Sequence, residues 1–223
     1  MILTIMSQVT LWLLRFTYKI VKEKLTVSDS KALFHEEFPF VIPSLYKRIV
    51  DEMLVELNLL NNQTEFIQEK YFCVGLRETF NELTKGYEPK MNIEKLFKAL
   101  CKSTNFQAEE IIKSSQNTLN DYKNKSLKEI SNLIIENKPN NHYYSRIFSL
   151  GIYKIISSAK DFIDEEDINK ITIIKEITEV LKIPLSRTEK DISFYKSNIK
   201  KLNQAKSLME ETIKSEREKR NKK

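Results

Sequence analysis

The amino-acid sequence predicts an all-α protein in which a multi-helix globular body is followed by a long, amphipathic, coiled-coil-like C-terminal helix. The 223 residues include only three glycines and five prolines, so residues that break helices are rare. Lys, Glu, Leu and Ile, which are common in helices, are abundant. Apolar residues recur three and four positions apart along most of the chain. A chain of this length can bury a substantial core.

Two helices are predicted in the first 62 residues. Ser28 or Asp29 is expected to cap a short helix, and Pro39 ends it because a proline disfavours the helical conformation in the residue before it. Pro43 suits the start of a second helix, whose apolar residues follow a spacing of three and four. The pair Asn61-Asn62 is expected to break that helix.

The middle of the chain predicts two more helices. One runs from about residue 65 to 85, with Gly86 at its C′ position and Pro89 as the stop. Asn92 is expected to cap the next one through its side chain.

The second half of the chain predicts the remaining helices. Acidic residues favour a helix start at the beginning of 108–123, and further helices are expected over about 126–137 and 143–160. The run 168–183 is rich in β-branched residues and could include a strand, although its apolar spacing favours a helix. The last helix begins near residue 187. Lys206 interrupts its heptad of apolar residues, which comprises Ile192, Tyr195, Ile199, Leu202, Met209 and Ile213.

The charge of the chain is concentrated at its two ends. The net charge is +6, yet the tail 214–223 holds six basic and two acidic residues, and residues 15–25 hold four basic and one acidic residue. The region between them is nearly neutral, so a nucleic-acid partner is not expected. The tail could contact phosphates or anionic lipid, but such runs are more often solvated ends.

Residues 1–25 are predicted to be an extension that differs from the rest of the chain. Only 14 uncharged residues precede Arg15, whereas a bilayer span needs about 20. One interpretation is an interfacial helix with Trp12, Leu13, Phe16 and Ile20 facing lipid. The other is a poorly ordered stretch upstream of the true start. The predicted organisation is therefore an extension (1–25), a globular domain (26–186), and a C-terminal helix with its basic tail (187–223).

The sequence contains no recognisable catalytic, cofactor-binding or metal-binding motif. The acidic side chains of Asp51, Glu52 and Glu56, and of Glu78 and Glu82, are expected to lie on solvated helix faces. Both cysteines, Cys73 and Cys101, fall in apolar helical patterns that favour buried thiols, and a thiol hydrolase around Cys73 is a remote alternative. We therefore expect a non-enzymatic protein with no cofactor and no small-molecule substrate.

The stretch YYSRIFSLGIYKII (143–156) contains the most informative residues of the chain. Gly151 in the middle of a helix disfavours that helix by about 1 kcal/mol relative to alanine, which predicts that another helix approaches closely. Arg146 must reach a carboxylate or water. One interpretation is a core helix with a satisfied arginine. The other is a docking surface that includes Tyr144 and Arg146, because tyrosine and arginine are enriched at interface hot spots.

Four segments together resemble the thylakoid formation protein family, also called the photosystem II biogenesis family of cyanobacteria and chloroplasts. They begin with TVSDSKALF and PSLYKRIVDEMLVELNLL, continue from YFCVGLRETFNELTKGYEP to LFKALCKS, and end with YYSRIFSLGIYKII and KDISFYKSNIKKLNQA. Their order and spacing match the family from about Thr26 to Ala205.

The resemblance implies a function that the residues alone did not indicate. Members are all-helical, non-enzymatic proteins of thylakoid membrane biogenesis and photosystem II assembly and repair, which support FtsH-type membrane proteases. It implies a peripheral protein on the cytoplasmic side of a cyanobacterial thylakoid membrane. The alternative is a lipid-binding, membrane-remodelling protein that uses the two basic ends of the chain. Within the matching segments, the expected structural or docking residues are Tyr144, Arg146, Asp191, Tyr195 and Asn198.

Overall fold

The computed structural model describes residues 24–139, 142–161 and 168–221, and within these ranges it is all-helical, with no β-strand. A short 3₁₀ turn, Lys90–Asn92, precedes the fourth helix. The nine α-helices of the described ranges are α1 (Val27–Glu37), α2 (Ser44–Asn61), α3 (Lys70–Leu83), α4 (Ile93–Ser103), α5 (Ala108–Tyr122), α6 (Leu127–Glu136), α7 (Arg146–Ser157), α8 (Ile168–Val180) and α9 (Leu185–Asn221). The predicted fold class is therefore confirmed, and the run that could have included a strand is the helix α8. The N-terminal extension predicted for 1–25 falls almost wholly outside the described residues.

Two helices begin with a capping box, in which a hydroxyl and a carboxylate exchange hydrogen bonds with backbone amides. The Thr26 hydroxyl accepts from the Asp29 amide at 3.1 Å, and the Asp29 carboxylate accepts from the Thr26 amide at 2.9 Å. The predicted cap at Ser28 or Asp29 is therefore wrong, because the N-cap is Thr26 and Asp29 is the third residue of the helix. Ser126 and Glu129 form the same arrangement at the start of α6.

Helix α3 begins later than predicted, because Glu69 ends the preceding loop. Its carboxylate accepts hydrogen bonds from the amides of Tyr71 at 2.8 Å and Phe72 at 2.6 Å. Burial of Glu69 raises its pKa to about 7, although these two amide bonds act in the opposite direction.

The turns on either side of the 3₁₀ segment differ from the prediction in detail. Helix α3 ends at Leu83 with Thr84 as its C-cap, so Gly86, at φ +87°, lies one position beyond the predicted C′ site. Asn92 is the N-cap residue of α4, as predicted, although its side chain makes no capping hydrogen bond and the residue is buried. The 3₁₀ turn closes instead through its backbone, since the Asn92 amide donates to Pro89.

Two glycines allow α3 and α7 to cross with their backbones in contact. A β-carbon on Gly151 would lie 2.8 Å from the Tyr71 carbonyl carbon and closer still to its oxygen. A β-carbon on Gly75 would lie 2.9 Å from the Ile147 carbonyl carbon and closer to that oxygen. The predicted close approach at Gly151 is confirmed, and Gly75 is its counterpart on α3.

The core is divided between two main clusters, with α3 contributing to both. The larger cluster joins α3 to α1, α2 and α4, and includes Phe34, Leu57, Phe80 and Phe97. The second joins α3 to α6, α7 and α8 through residues such as Tyr71, Ile130, Ile155 and Ile177. Both cysteines are buried free thiols of the larger cluster, as predicted.

Helix α9 packs against the body for about half its length and then extends beyond it. Ile192, Tyr195 and Leu202 are buried, whereas Leu208 and Met209 are 64% and 48% exposed. The predicted heptad therefore describes a seam with the body up to Leu202, but Met209 lies outside that seam. Lys206 does not disturb the seam, because its ammonium group hydrogen-bonds the Lys85 carbonyl at the edge of the body.

Candidate functional site

The five residues predicted for docking lie where the start of α7 meets α9. Tyr144 directly precedes the α7 N-cap, Ser145, whose hydroxyl accepts from the Phe148 amide at 3.0 Å. Arg146 is the first residue of α7. Asp191, Tyr195 and Asn198 occupy positions four and three residues apart on α9, which places them on one face of that helix.

Tyr144 connects the start of α7 to α9. Its hydroxyl donates to the Asp191 carboxylate at 2.6 Å, and the Arg187 guanidinium lies 5.0 Å from the centre of its ring. Burial and the neighbouring Asp191 carboxylate raise the pKa of Tyr144 to about 12, so the hydroxyl stays protonated and remains a donor at neutral pH. Tyr144 and Asp191 therefore position α9 as well as line the site.

Arg146 connects α7 to α2 through an ion pair with Glu56. Burial acts to lower the pKa of Arg146, but the carboxylates of Glu56, Asp191 and Glu52 together raise it above the ordinary value. The prediction that Glu56 lies on a solvated helix face is wrong, because its side chain is only 19% exposed and is paired. The guanidinium also lies 5.6 Å from the ring centre of Phe194 on α9.

Tyr195 occupies the seam between α9 and the body. The Lys154 ammonium lies 4.9 Å from the centre of its ring and 3.2 Å from a Glu82 carboxylate oxygen. Burial raises the pKa of Tyr195, so its hydroxyl is neutral at ordinary pH. Glu82, predicted as a solvated acid, instead joins α3 to α7 through Lys154. Asn198 is half-buried one turn further along α9.

Arg146, Tyr195 and Asn198 line an apolar cleft of about 390 Å³ between α2 and α9, which we call the α2–α9 cleft. Its floor is formed by apolar residues of α3 and α7, among them Leu76, Ile147 and Leu150. An open groove of about 990 Å³ adjoins it, and the two share the residues Arg48, Glu52, Glu56, Arg146 and Phe194.

Phe194 is the residue of this site that the sequence analysis missed. It is 49% exposed and lies on the boundary between the cleft and the groove. It falls outside the apolar heptad of α9, so periodicity gave no reason to select it. An exposed aromatic residue beside a buried tyrosine in the matching segment KDISFYKSN was the available signal.

The chemistry that this arrangement can support is binding by shape, apolar contact and charge. Burial raises the pKa of Cys73 to about 11 and that of Cys101 to about 12, so neither thiol is a ready nucleophile at neutral pH. In the parts of the chain that the structure describes, no three His, Cys, Asp or Glu residues are grouped so that they could hold a metal ion. None of the described helices combines the length and apolar character that a membrane span requires.

Comparison with known proteins gives a consistent result. The family described as "Thylakoid formation protein" matches residues 26–223. The Thf1 protein of Prochlorococcus marinus subsp. pastoris is 58% identical over 201 residues, which cover 90% of this chain and 100% of that protein. A Synechococcus Thf1 protein is 36% identical over 198 residues, covering 87% and 92% of the two chains. A solved structure of Psb29 matches with a TM-score of 0.78 and 27% identity, over 88% of this chain and 98% of that one.

Proposed function

The chain belongs to the thylakoid formation protein family, and on this basis we propose that it is a non-enzymatic auxiliary factor of thylakoid biogenesis and photosystem II assembly and repair. It acts by protein–protein contact on the cytoplasmic surface of the thylakoid membrane, and the partner that the family resemblance implies is an FtsH-type protease. The family match over residues 26–223 supports the thylakoid role. The α2–α9 cleft supports the mechanism by contact.

The α2–α9 cleft has the composition of a surface that receives an amphipathic helix of a partner protein. Its floor is apolar, while its rim carries charges of both signs, including Arg48 and Glu52 on α2 and Lys201 on α9. Such a helix would place apolar side chains on the floor and polar ones along the rim. The exposed Phe194 ring at the mouth is an aromatic anchor of the kind that dominates interface energetics.

The cleft is held in one shape before any partner arrives. Tyr144 ties the start of α9 to α7 through Asp191, and Arg146 ties α7 to α2 through Glu56. Preorganised walls lose little conformational entropy when a partner binds, which favours affinity. In this proposal, Tyr144, Arg146, Asp191 and Tyr195 position the walls, while Phe194 and Asn198 contact the partner.

Binding of this kind supports a protease or an assembly complex by mass action. A factor that binds only the assembled state stabilises it by about 2.7 kcal/mol when its concentration is 100 times its dissociation constant. Such support requires no chemistry at the site.

A pull-down from solubilised thylakoids tests this proposal. The full chain is compared with Phe194→Ala and with Ile67→Ala, a matched exposed apolar residue in the loop before α3. Recovery of protease or photosystem subunits should fall with Phe194→Ala and persist with Ile67→Ala. Equal recovery with both variants would contradict docking at the cleft, and failure to recover either class of subunit with the full chain would contradict the proposed partners.

The contribution of α9 is tested by truncation after Lys206 rather than after Pro184. Removal of everything after Pro184 would also remove Ile192, Tyr195 and Leu202, which are buried in the body. The shorter truncation removes only the exposed half, including Leu208 and Met209. Retention of the partner by this truncated chain is expected if the cleft is sufficient, and its loss would assign the contact to the exposed half of α9.

A further inference from the structure

Exposed apolar side chains are grouped in two neighbouring loops, one between α1 and α2 and one between α3 and α4. Val41 is 92% exposed, Met91 is 73% exposed and Phe40 is 44% exposed. Single exposed apolar residues are common on protein surfaces, but three of them at adjacent loop tips require an explanation.

The fold brings these loops together along α4. Glu37, the last residue of α1, pairs with Lys102 near the end of α4 at 2.7 Å. The chain then passes through buried Phe38 to Phe40, whose ring centre lies 5.1 Å from the Lys95 ammonium near the start of α4. Met91 lies in the 3₁₀ turn that leads directly into α4, four residues before Lys95.

Three exposed lysines lie in the same part of the chain: Lys85 and Lys90 belong to the loop that carries Met91, and Lys95 lies near the start of α4. Lys85, Lys90 and Lys95 have exposed side chains, and none of them forms an ion pair with another described residue. Glu94 is neutralised by its ion pair with Arg77. Glu88, which accepts from the Lys90 amide at 3.3 Å, is the one exposed acid of the loop 84–92. We call Phe40, Val41, Met91, Lys85, Lys90 and Lys95 together the lysine-ringed surface.

We propose that the lysine-ringed surface binds an anionic lipid bilayer, with Phe40, Val41 and Met91 entering the headgroup region while the three lysines contact the anionic headgroups. Moving apolar side chains at loop tips from water into the membrane interface lowers the free energy of the system, which favours binding. Each lysine near an anionic membrane surface adds an attraction of its own. The excess of positive over negative charge around the tips selects an anionic bilayer rather than a neutral one.

The lipid contact does not depend on the protein contact proposed above. No residue of the lysine-ringed surface lines the α2–α9 cleft or its adjoining groove. It also differs from lipid binding through the two basic ends of the chain, since Phe40, Val41 and Met91 belong to the folded body.

Vesicle flotation with the purified full chain tests the charge component. The probes are phosphatidylcholine vesicles with and without phosphatidylglycerol, at low and high salt. The wild type should bind the anionic vesicles, and salt should weaken that binding because it screens exposed charges. The double variant Lys90→Glu, Lys95→Glu should partition at least about 20-fold more weakly, since each lysine contributes about fivefold.

Two pairs of controls separate this surface from general effects of charge and hydrophobicity. Lys123→Glu with Lys128→Glu changes the net charge equally where α5 meets α6, and should leave binding within about twofold of the wild type. Val41→Ser with Met91→Ser should weaken binding several-fold, whereas Ile67→Ser should not.

Three results would overturn the proposal. The first is a wild type that ignores anionic vesicles or binds neutral ones equally well. The second is unchanged binding by the loop variants together with loss of binding when Lys222 and Lys223 are replaced by Gln, which would assign the contact to the tail. The third is a loop variant that keeps its vesicle binding but no longer recovers protein partners, which would make this surface a protein interface.

Discussion

Replacing Gly151 by alanine has two opposite effects on stability: a gain in helix propensity and a steric clash with α3. The structure shows which of the two is larger. Alanine favours a helix over glycine by about 1 kcal/mol, so helix propensity alone predicts a more stable protein. The new methyl group would, however, lie 2.8 Å from the Tyr71 carbonyl carbon and 2.9 Å from the Gly75 nitrogen. These are backbone atoms of α3, which cannot rotate away as a side chain would.

The expected magnitude follows from the separation that α3 and α7 must undergo. Carbon atoms that pack without strain lie about 3.5–4.0 Å apart, so the two helices must separate by roughly 1 Å or more along their contact. Overpacking of this kind typically destabilises a protein by about 1–3 kcal/mol and occasionally by more. Because the obstructing atoms are backbone, we expect the upper part of that range, and a net loss of about 2 kcal/mol after the gain in propensity.

Urea unfolding and thermal unfolding, each followed by helical circular dichroism, measure this loss. A net change of about 2 kcal/mol should lower the melting temperature by about 4–8 °C for a protein of this size. Asn117→Ala, at an exposed position of α5, is the control and should change stability by only a few tenths of a kcal/mol. A Gly151→Ala protein more stable than the wild type would show that α3 and α7 do not cross in backbone contact.

Three further predictions concern α9 and the start of α3. Leu202→Ala should destabilise the protein by about 2–4 kcal/mol in urea unfolding, because Leu202 is buried, while Met209→Ala beyond the seam should change it by less than about 0.5 kcal/mol. Tyr144→Phe should lower stability by about 1–2 kcal/mol, because the Asp191 carboxylate loses a 2.6 Å hydrogen bond; an unchanged midpoint would refute that role. The pKa of Glu69 is raised, so between about pH 4.5 and 7 its carboxyl group is protonated in the folded state and ionised in the unfolded state. Its contribution to the stability of the folded state is therefore complete below pH 4.5 and is lost as the pH rises through 7. From pH 5 to pH 8, the free energy of unfolding should fall by about 2 kcal/mol more in the wild type than in Glu69→Gln. An equal fall in both proteins would contradict burial of this carboxyl group.

Local patterns predicted the helices, because helix formation depends on neighbouring residues. Apolar spacing, capping residues, prolines and acidic helix starts together predicted the nine described helices, and the cost of a glycine inside a helix identified the close approach at Gly151. The same reasoning applied to Gly75, but it was not used there. Boundaries were less accurate where the capping residue was not one of the usual N-cap types, as with Glu69 at the start of α3.

The candidate site was only partly predictable because its contacts join distant parts of the chain. The need of Arg146 for a carboxylate was clear, but Glu56 lies 90 positions away, and the sequence does not show that α2 passes the start of α7. For the same reason, Glu56 and Glu82 appeared to be solvated. Phe194 was missed because it lies on the exposed side of an otherwise apolar seam, where its role depends on the walls around it.

Photo-crosslinking from position 194 tests the central claim most directly. A photo-crosslinking amino acid is placed at Phe194, or at exposed Asn117 as the control, and the protein is irradiated on thylakoid membranes. The proposed function predicts that subunits of an FtsH-type protease or of photosystem II are attached from position 194 and not from position 117. Crosslinks that are the same from both positions, or that include neither class of subunit, would contradict docking at the α2–α9 cleft.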